Sequence, residues 1–184
     1  MTRRLRLAAP LLLAVAASAA YTDYASARRK LDLIEQDRLR AGAHVELTDS
    51  ELSAYAQHEA PAGVRNARLE IAPSGLVTGS ALVDFNAVRR AQGHPPGWLM
   101  SKLLDGERPV SVTARLNSAN GQAQVDVQRV TISGLELDGR TLDFLIQNVL
   151  LPLYPDAAVD RPFELGHRVE RIELHSRRAS VVIR

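Results

Sequence analysis

Residues 107–133 constrain this chain more than any other stretch. Val110, Val112, Ala114 and Leu116 alternate with polar residues, the period-two signature of a strand with one buried face. Asn120-Gly121 follows, a pair suited to the two-residue hairpin turn in which both central positions need positive φ. Val125 and Val127 resume the alternation, and Val130 and Ile132 continue it one step out of phase. The stretch reads as a long antiparallel hairpin, apolar on one side and wet on the other. A hairpin of this kind cannot stand alone, because its apolar side has to be covered.

The N-terminus reads as a targeting segment. Arg3, Arg4 and Arg6 precede the uncharged apolar run Leu7–Ala17, and both Ala17-Ser18-Ala19 and Ala25-Ser26-Ala27 are small-x-small cleavage sites. That is the layout of a secretory signal. The run is short for a membrane span, which takes about 20 apolar residues. An uncleaved anchor stays open as the second reading. Residues 1–27 are therefore set apart as signal or anchor and 28–43 as a charged helical linker, with a single domain over 44–184. The protein is expected in the periplasm or outside the cell, held to the inner membrane if the segment is kept. The 23 basic and 21 acidic residues become 20 and 21 once residues 1–19 are removed, a net charge of −1. A near-neutral body argues against nucleic acid as a partner. The chain has no cysteine, so an exported domain must be held by its core without disulfides.

Along the body, Arg28-Arg29-Lys30 with Leu31, Leu33, Ile34 and Leu39 predicts a solvated helix; the alternative is a segment lying on a membrane surface. His44–Leu47 predicts a strand. Thr48-Asp49-Ser50-Glu51 fits a capping box, with Leu47 and Leu52 as a hydrophobic staple, for a helix running to about Glu59. Strands are expected over Val64–Ala72 and Leu76–Phe85, with Gly79 as a bulge or close-approach point. Asp84–Gly93 reads as a polar connection. Trp98–Leu104 reads as a short apolar helix, a core element or an apolar lip toward membrane or ligand. Thr141–Leu151 carries Leu142, Leu145, Ile146, Val149 and Leu150 at helical spacing. Two last strands are expected over Phe163–His175 and Ser180–Arg184. The sum is an α+β fold: a curved, mainly antiparallel sheet of about six or seven strands on two or three short helices.

No compact chemistry stands out. Gly-x-Ser-x-Gly is absent, and His44, His58, His94, His167 and His175 have no zinc spacing. His167 and His175, on one expected strand, would lie roughly 26 Å apart, too far for one metal. Asp126, Asp143, Asp156 and Asp160 could be combined into an acid pair, as in any domain of this size. No cofactor is expected.

With these elements placed, the chain resembles the small exported bacterial lipid-binding domains related to the tubular lipid-binding (TULIP, BPI-like) superfamily. The resemblance is carried by Val45–Leu52, by Gly79 with Val83-Asp84-Phe85, by Val130–Gly134 leading into Leu142–Leu151, and by Pro162–Leu165 before Val169, Ile172 and Leu174. It covers most of residues 44–184 and implies a single lobe in which a curved sheet holds acyl chains in an apolar groove. The expected function is thus non-enzymatic binding of a lipid or other hydrophobe between sheet and helices. Candidate lining residues are Leu52, Tyr55, Trp98, Leu103, Leu142, Leu145, Ile146 and Val149. A membrane surface is a further expected partner. The alternative is an envelope scaffold or accessory protein that binds a protein partner and has no ligand cavity; no particular protein partner is indicated.

Overall fold

The computed structural model describes residues 8–91, 93, 105–137, 139–140, 143 and 161–184, with backbone alone over 8–19. The order is α1 (Ala8–Glu35), β1 (His44–Thr48), α2 (Asp49–His58), β2 (Val64–Ile71), β3 (Leu76–Val83), α3 (Phe85–Ala91), β4 (Arg108–Ala119), β5 (Gln122–Ile132), β6 (Leu135–Leu137), β7 (Phe163–Glu164), β8 (Val169–His175) and β9 (Arg178–Ile183). The fold is α+β, and every strand pairing among the described residues is antiparallel. The strands divide into two sheets. The larger, open sheet runs β2-β3-β4-β5-β6 with β7 added beside β5; the smaller runs β1-β9-β8.

The long hairpin forms as its alternation requires. Asn120 (φ 54°) and Gly121 (φ 76°) both take the left-handed conformation that a tight turn between twisted strands needs. The phase slip of Val130 and Ile132 has a physical cause. Thr113 faces Arg129 and Ala114 faces Val127, leaving Gln128 as the extra residue of a β-bulge. The bulge turns Val130 and Ile132 back onto the face that Val125 and Val127 occupy.

The capping box at α2 is present in full. Thr48 Oγ1 accepts the Glu51 N–H at 3.2 Å, and Glu51 Oε2 accepts the Thr48 N–H at 2.9 Å. Leu47 and Leu52 share one core cluster. Elsewhere the local elements differ from those read along the chain. The bulge of the β2-β3 pair lies between Arg65 and Arg68, where Asn66 has positive φ, while Gly79 pairs regularly with Leu69 and Val112. The expected polar connection at 84–93 contains α3; Asp84 caps it by accepting the Ala87 N–H at 2.9 Å. The single strand expected over Phe163–His175 is two, broken by positive φ at Gly166, His167 and Arg168. His167 therefore sits in a turn and shares no strand with His175. The expected Trp98–Leu104 helix, and all of the expected Thr141–Leu151 helix but Asp143, lie outside the described residues.

One helix, α1, runs from Ala8 to Glu35, and its C-terminal half packs on the small sheet and α2. Ala27 is 0% exposed and Ile34 is buried, clustered with Val45, Leu47, Val169, Val181 and Ile183 of the small sheet. Tyr24 stacks on His58 with ring centroids 3.8 Å apart. Alanine at 27 is small enough for close helix packing, which is why a residue typical of cleavage sites also suits a helix interface. Among the described residues, no helix is long and apolar enough to cross a membrane.

Candidate functional site

The most distinctive surface is the apolar face of the large sheet. Register places Val77, Gly79, Ala81 and Val83 of β3 beside Ala114, Val112, Val110 and Arg108 of β4. Across β4 stand Val127, Val130 and Ile132, with Val125 opposite Leu116. Leu137 and Leu135 of β6 extend the rows from Val130 and Ile132. One face of five strands is thus built almost wholly of valine, leucine, isoleucine and alanine, while Thr78, Ser80, Ser111, Thr113 and Thr131 turn to the other.

This face is covered unevenly. At the hairpin tip β8 crosses it. Ser118 Oγ accepts the Ile172 N–H at 2.8 Å and donates to the Ile172 carbonyl at 2.9 Å. The Gly121 N–H bonds the Glu170 carbonyl at 2.7 Å, and Ala123 beneath is 2% exposed. Along β2, α2 packs alongside, and Ser53 Oγ accepts the Leu69 N–H at 2.8 Å. Between these covers, Val110, Val112, Ala114, Leu116, Val125, Val127 and Ile132 are only half-buried. Leu135 is 67% exposed. These side chains are less closed to solvent than Ala123 and Val130 of the same sheet, which are 2% and 5% exposed.

Of the sequence-predicted lining residues, Leu52 and Tyr55 pack against the core cluster that contains Ala27 and Ile34 of α1. Burial raises the Tyr55 hydroxyl's pKa, with Glu59 and Glu35 adding to it. Trp98, Leu103, Leu142, Leu145, Ile146 and Val149 lie outside the described residues. Two surface depressions, of about 400 and 350 Å³, are lined respectively by Arg68, Ser80, Leu82, Pro109, Ser111 and Thr131, and by Asp49, Glu70, Ile71, Ala72, Thr78 and Arg177. Leu52 and Tyr55 line neither.

The titratable groups are engaged structurally. Glu51, 6% exposed, meets Lys30 Nζ at 2.7 and 2.8 Å, Ser26 Oγ at 2.6 Å and the Thr48 N–H. Burial alone would push its carboxyl up, but these donors and the Lys30 charge outweigh that and hold it below the ordinary range. On the small sheet, Ser180 Oγ lies 3.3 Å from His44 Nδ1. A nucleophilic serine needs access and a base oriented by a third group. Here Ser180 is 4% exposed, and the neighbouring Glu173 is bound by Arg171 Nε at 2.7 Å, which lowers its pKa. Asp126 accepts from Asn117 and Gln124 on the hairpin, and Asp143 is exposed; Asp156 and Asp160 lie outside the described residues. Among the described residues, no three His, Asp or Glu side chains stand together as a metal site.

No protein-family model and no curated protein matches the chain. The reading of function accordingly rests on the sheet face itself.

Proposed function

We propose that this chain is an exported, non-enzymatic binder of a lipid or similar hydrophobe, and that the ligand lies along the apolar face of the large sheet. The observation that carries the reading is the half-buried row Val110, Val112, Ala114, Leu116 with its partners Val125, Val127 and Ile132. Covering such a row with an acyl chain gains about 0.8 kcal/mol per buried methylene, enough for tight binding by a single long chain. The basic-then-apolar N-terminus supports a location at the cell envelope, where such ligands are plentiful. The resemblance to tubular lipid-binding domains is a precedent for a sheet used in this way.

Native mass spectrometry of protein taken from bacterial envelopes tests the reading, together with uptake of cis-parinaric acid by the delipidated chain. Lipid adducts and saturable uptake are expected, with uptake lost in Val112→Asp. Protein that is wholly ligand-free and takes up no probe would overturn the reading.

A further inference from the structure

The apolar face has two unlike ends, and the difference gives a bound ligand a direction. At the hairpin tip the row on β4 stops at Ser118, which is bonded to Ile172 through both backbone groups. Val110 to Leu116 then spans roughly 20 Å at about 3.4 Å per residue, comparable to an extended long acyl chain. At the other end the same row finishes in Arg108, paired with Val83 and in phase with Val110 and Val112. Arg108 is half-buried and has no hydrogen-bond or ion-pair partner among the described residues. Glu107, its neighbour, turns to the opposite face and is bound to Arg65, and Asp84 is taken by the α3 cap. Close by, Leu135, in register with Ile132, stands 67% exposed. The track is shut by backbone at one end; at the other it finishes beside a guanidinium that has no partner among the described residues.

From this geometry we infer that the ligand is a single-chain amphiphile with an anionic head. Its chain lies along β4, and its carboxylate or phosphate is held by Arg108. A guanidinium offers paired N–H donors that match such an oxyanion, and beside an apolar surface their charge is poorly screened. A neutral hydrophobe would leave Arg108 half-desolvated beside it.

This inference rests on the proposed lipid binding, and the experiment separates the two. The full chain is titrated with cis-parinaric acid and with its methyl ester, which shares the chain and lacks the charge. The acid is expected to bind at least tenfold more tightly than the ester. Arg108→Glu should remove that preference, with its urea midpoint and circular dichroism showing that the variant is folded. Arg115→Glu, on the polar face nearer the tip, should leave the preference unchanged. Equal affinity for acid and ester, or a preference that survives Arg108→Glu, overturns the headgroup assignment and leaves lipid binding standing. Binding of neither probe overturns both.

Discussion

Ser118 and Ile172, 54 residues apart, are joined by two hydrogen bonds through one hydroxyl: Ser118 Oγ accepts the Ile172 N–H and donates to its carbonyl. The hydroxyl stands in for a neighbouring strand, and it fastens the small sheet across the tip of the large one. Ser118→Ala leaves a part-buried N–H and C=O without partners, at a cost of about 2 kcal/mol. Urea denaturation should show that loss, and hydrogen exchange should show faster exchange at the Ile172 amide. Unchanged protection at Ile172 would mean that the clasp carries no weight in solution.

Glu51 makes stability depend on acidity in a defined direction. Its folded pKa lies below the unfolded value of about 4.3, so the stabilisation is complete above that value and disappears as pH falls through the folded pKa. Glu51→Gln removes this term and leaves Lys30 partly buried beside a neutral group. It should cost about 2–3 kcal/mol at pH 7 and flatten the acid limb of a stability curve recorded below about pH 4.3. An acid limb as steep as that of the native chain would contradict the assignment.

Two glycines with positive φ should respond very differently to alanine. At Gly75 (φ +73°) an added Cβ meets nothing within 4 Å, so Gly75→Ala should cost only the backbone term, about 1 kcal/mol. At Gly63 (φ +94°) the Cβ would stand 2.8 Å from Val88 N and 2.9 Å from both Asp84 O and Ala87 Cβ. Those are backbone and short side-chain atoms that cannot swing aside. Gly63→Ala should cost about 3 kcal/mol or more and disturb the start of α3. Thermal unfolding of the two variants side by side gives the ranking.

Truncation separates the two small-x-small sites. A chain starting at Ala20 keeps the Tyr24–His58 stack, the Ser26–Glu51 hydrogen bond and the fully buried Ala27. A chain starting at Arg28 loses all three. The first should unfold at the native urea midpoint; the second should be at least about 2 kcal/mol less stable. Equal midpoints would show that this half of α1 adds nothing to the fold.

What could be read from the sequence was what nearest neighbours decide. Asn120-Gly121 specified its turn, and Thr48 and Glu51 their capping box; the valine phase slip was visible, and its cause, the bulge at Gln128, was not read from it. Three further features escaped. Val83-Asp84-Phe85 continues a strand pattern, which conceals that Asp84 also caps α3. The division into two sheets depends on β1 pairing with β9, His44 against Val182, and no local signal encodes a pairing over that separation. Alanine and serine at 25–27 suit a protease and a helix interface equally, so composition alone does not separate the two uses. For the candidate site, the apolar face of the hairpin was legible and its rim was not. Arg108 shares the parity of Val110, but a charge at a strand's first residue ordinarily signals only that the strand has ended.

The continuity of α1 carries a mechanical consequence. From Ala8 to Glu35 it is one helix of 28 residues, about 42 Å long at 1.5 Å per residue, and its final turns are embedded in the core. Its first sixteen residues run on past the level of His58, at the end of α2 that leads through Gly63 to Val64, Val83 and Arg108. A rod clamped at one end is a lever. A tilt of its N-terminal half becomes a sideways sweep of the sheet packed on its last turns.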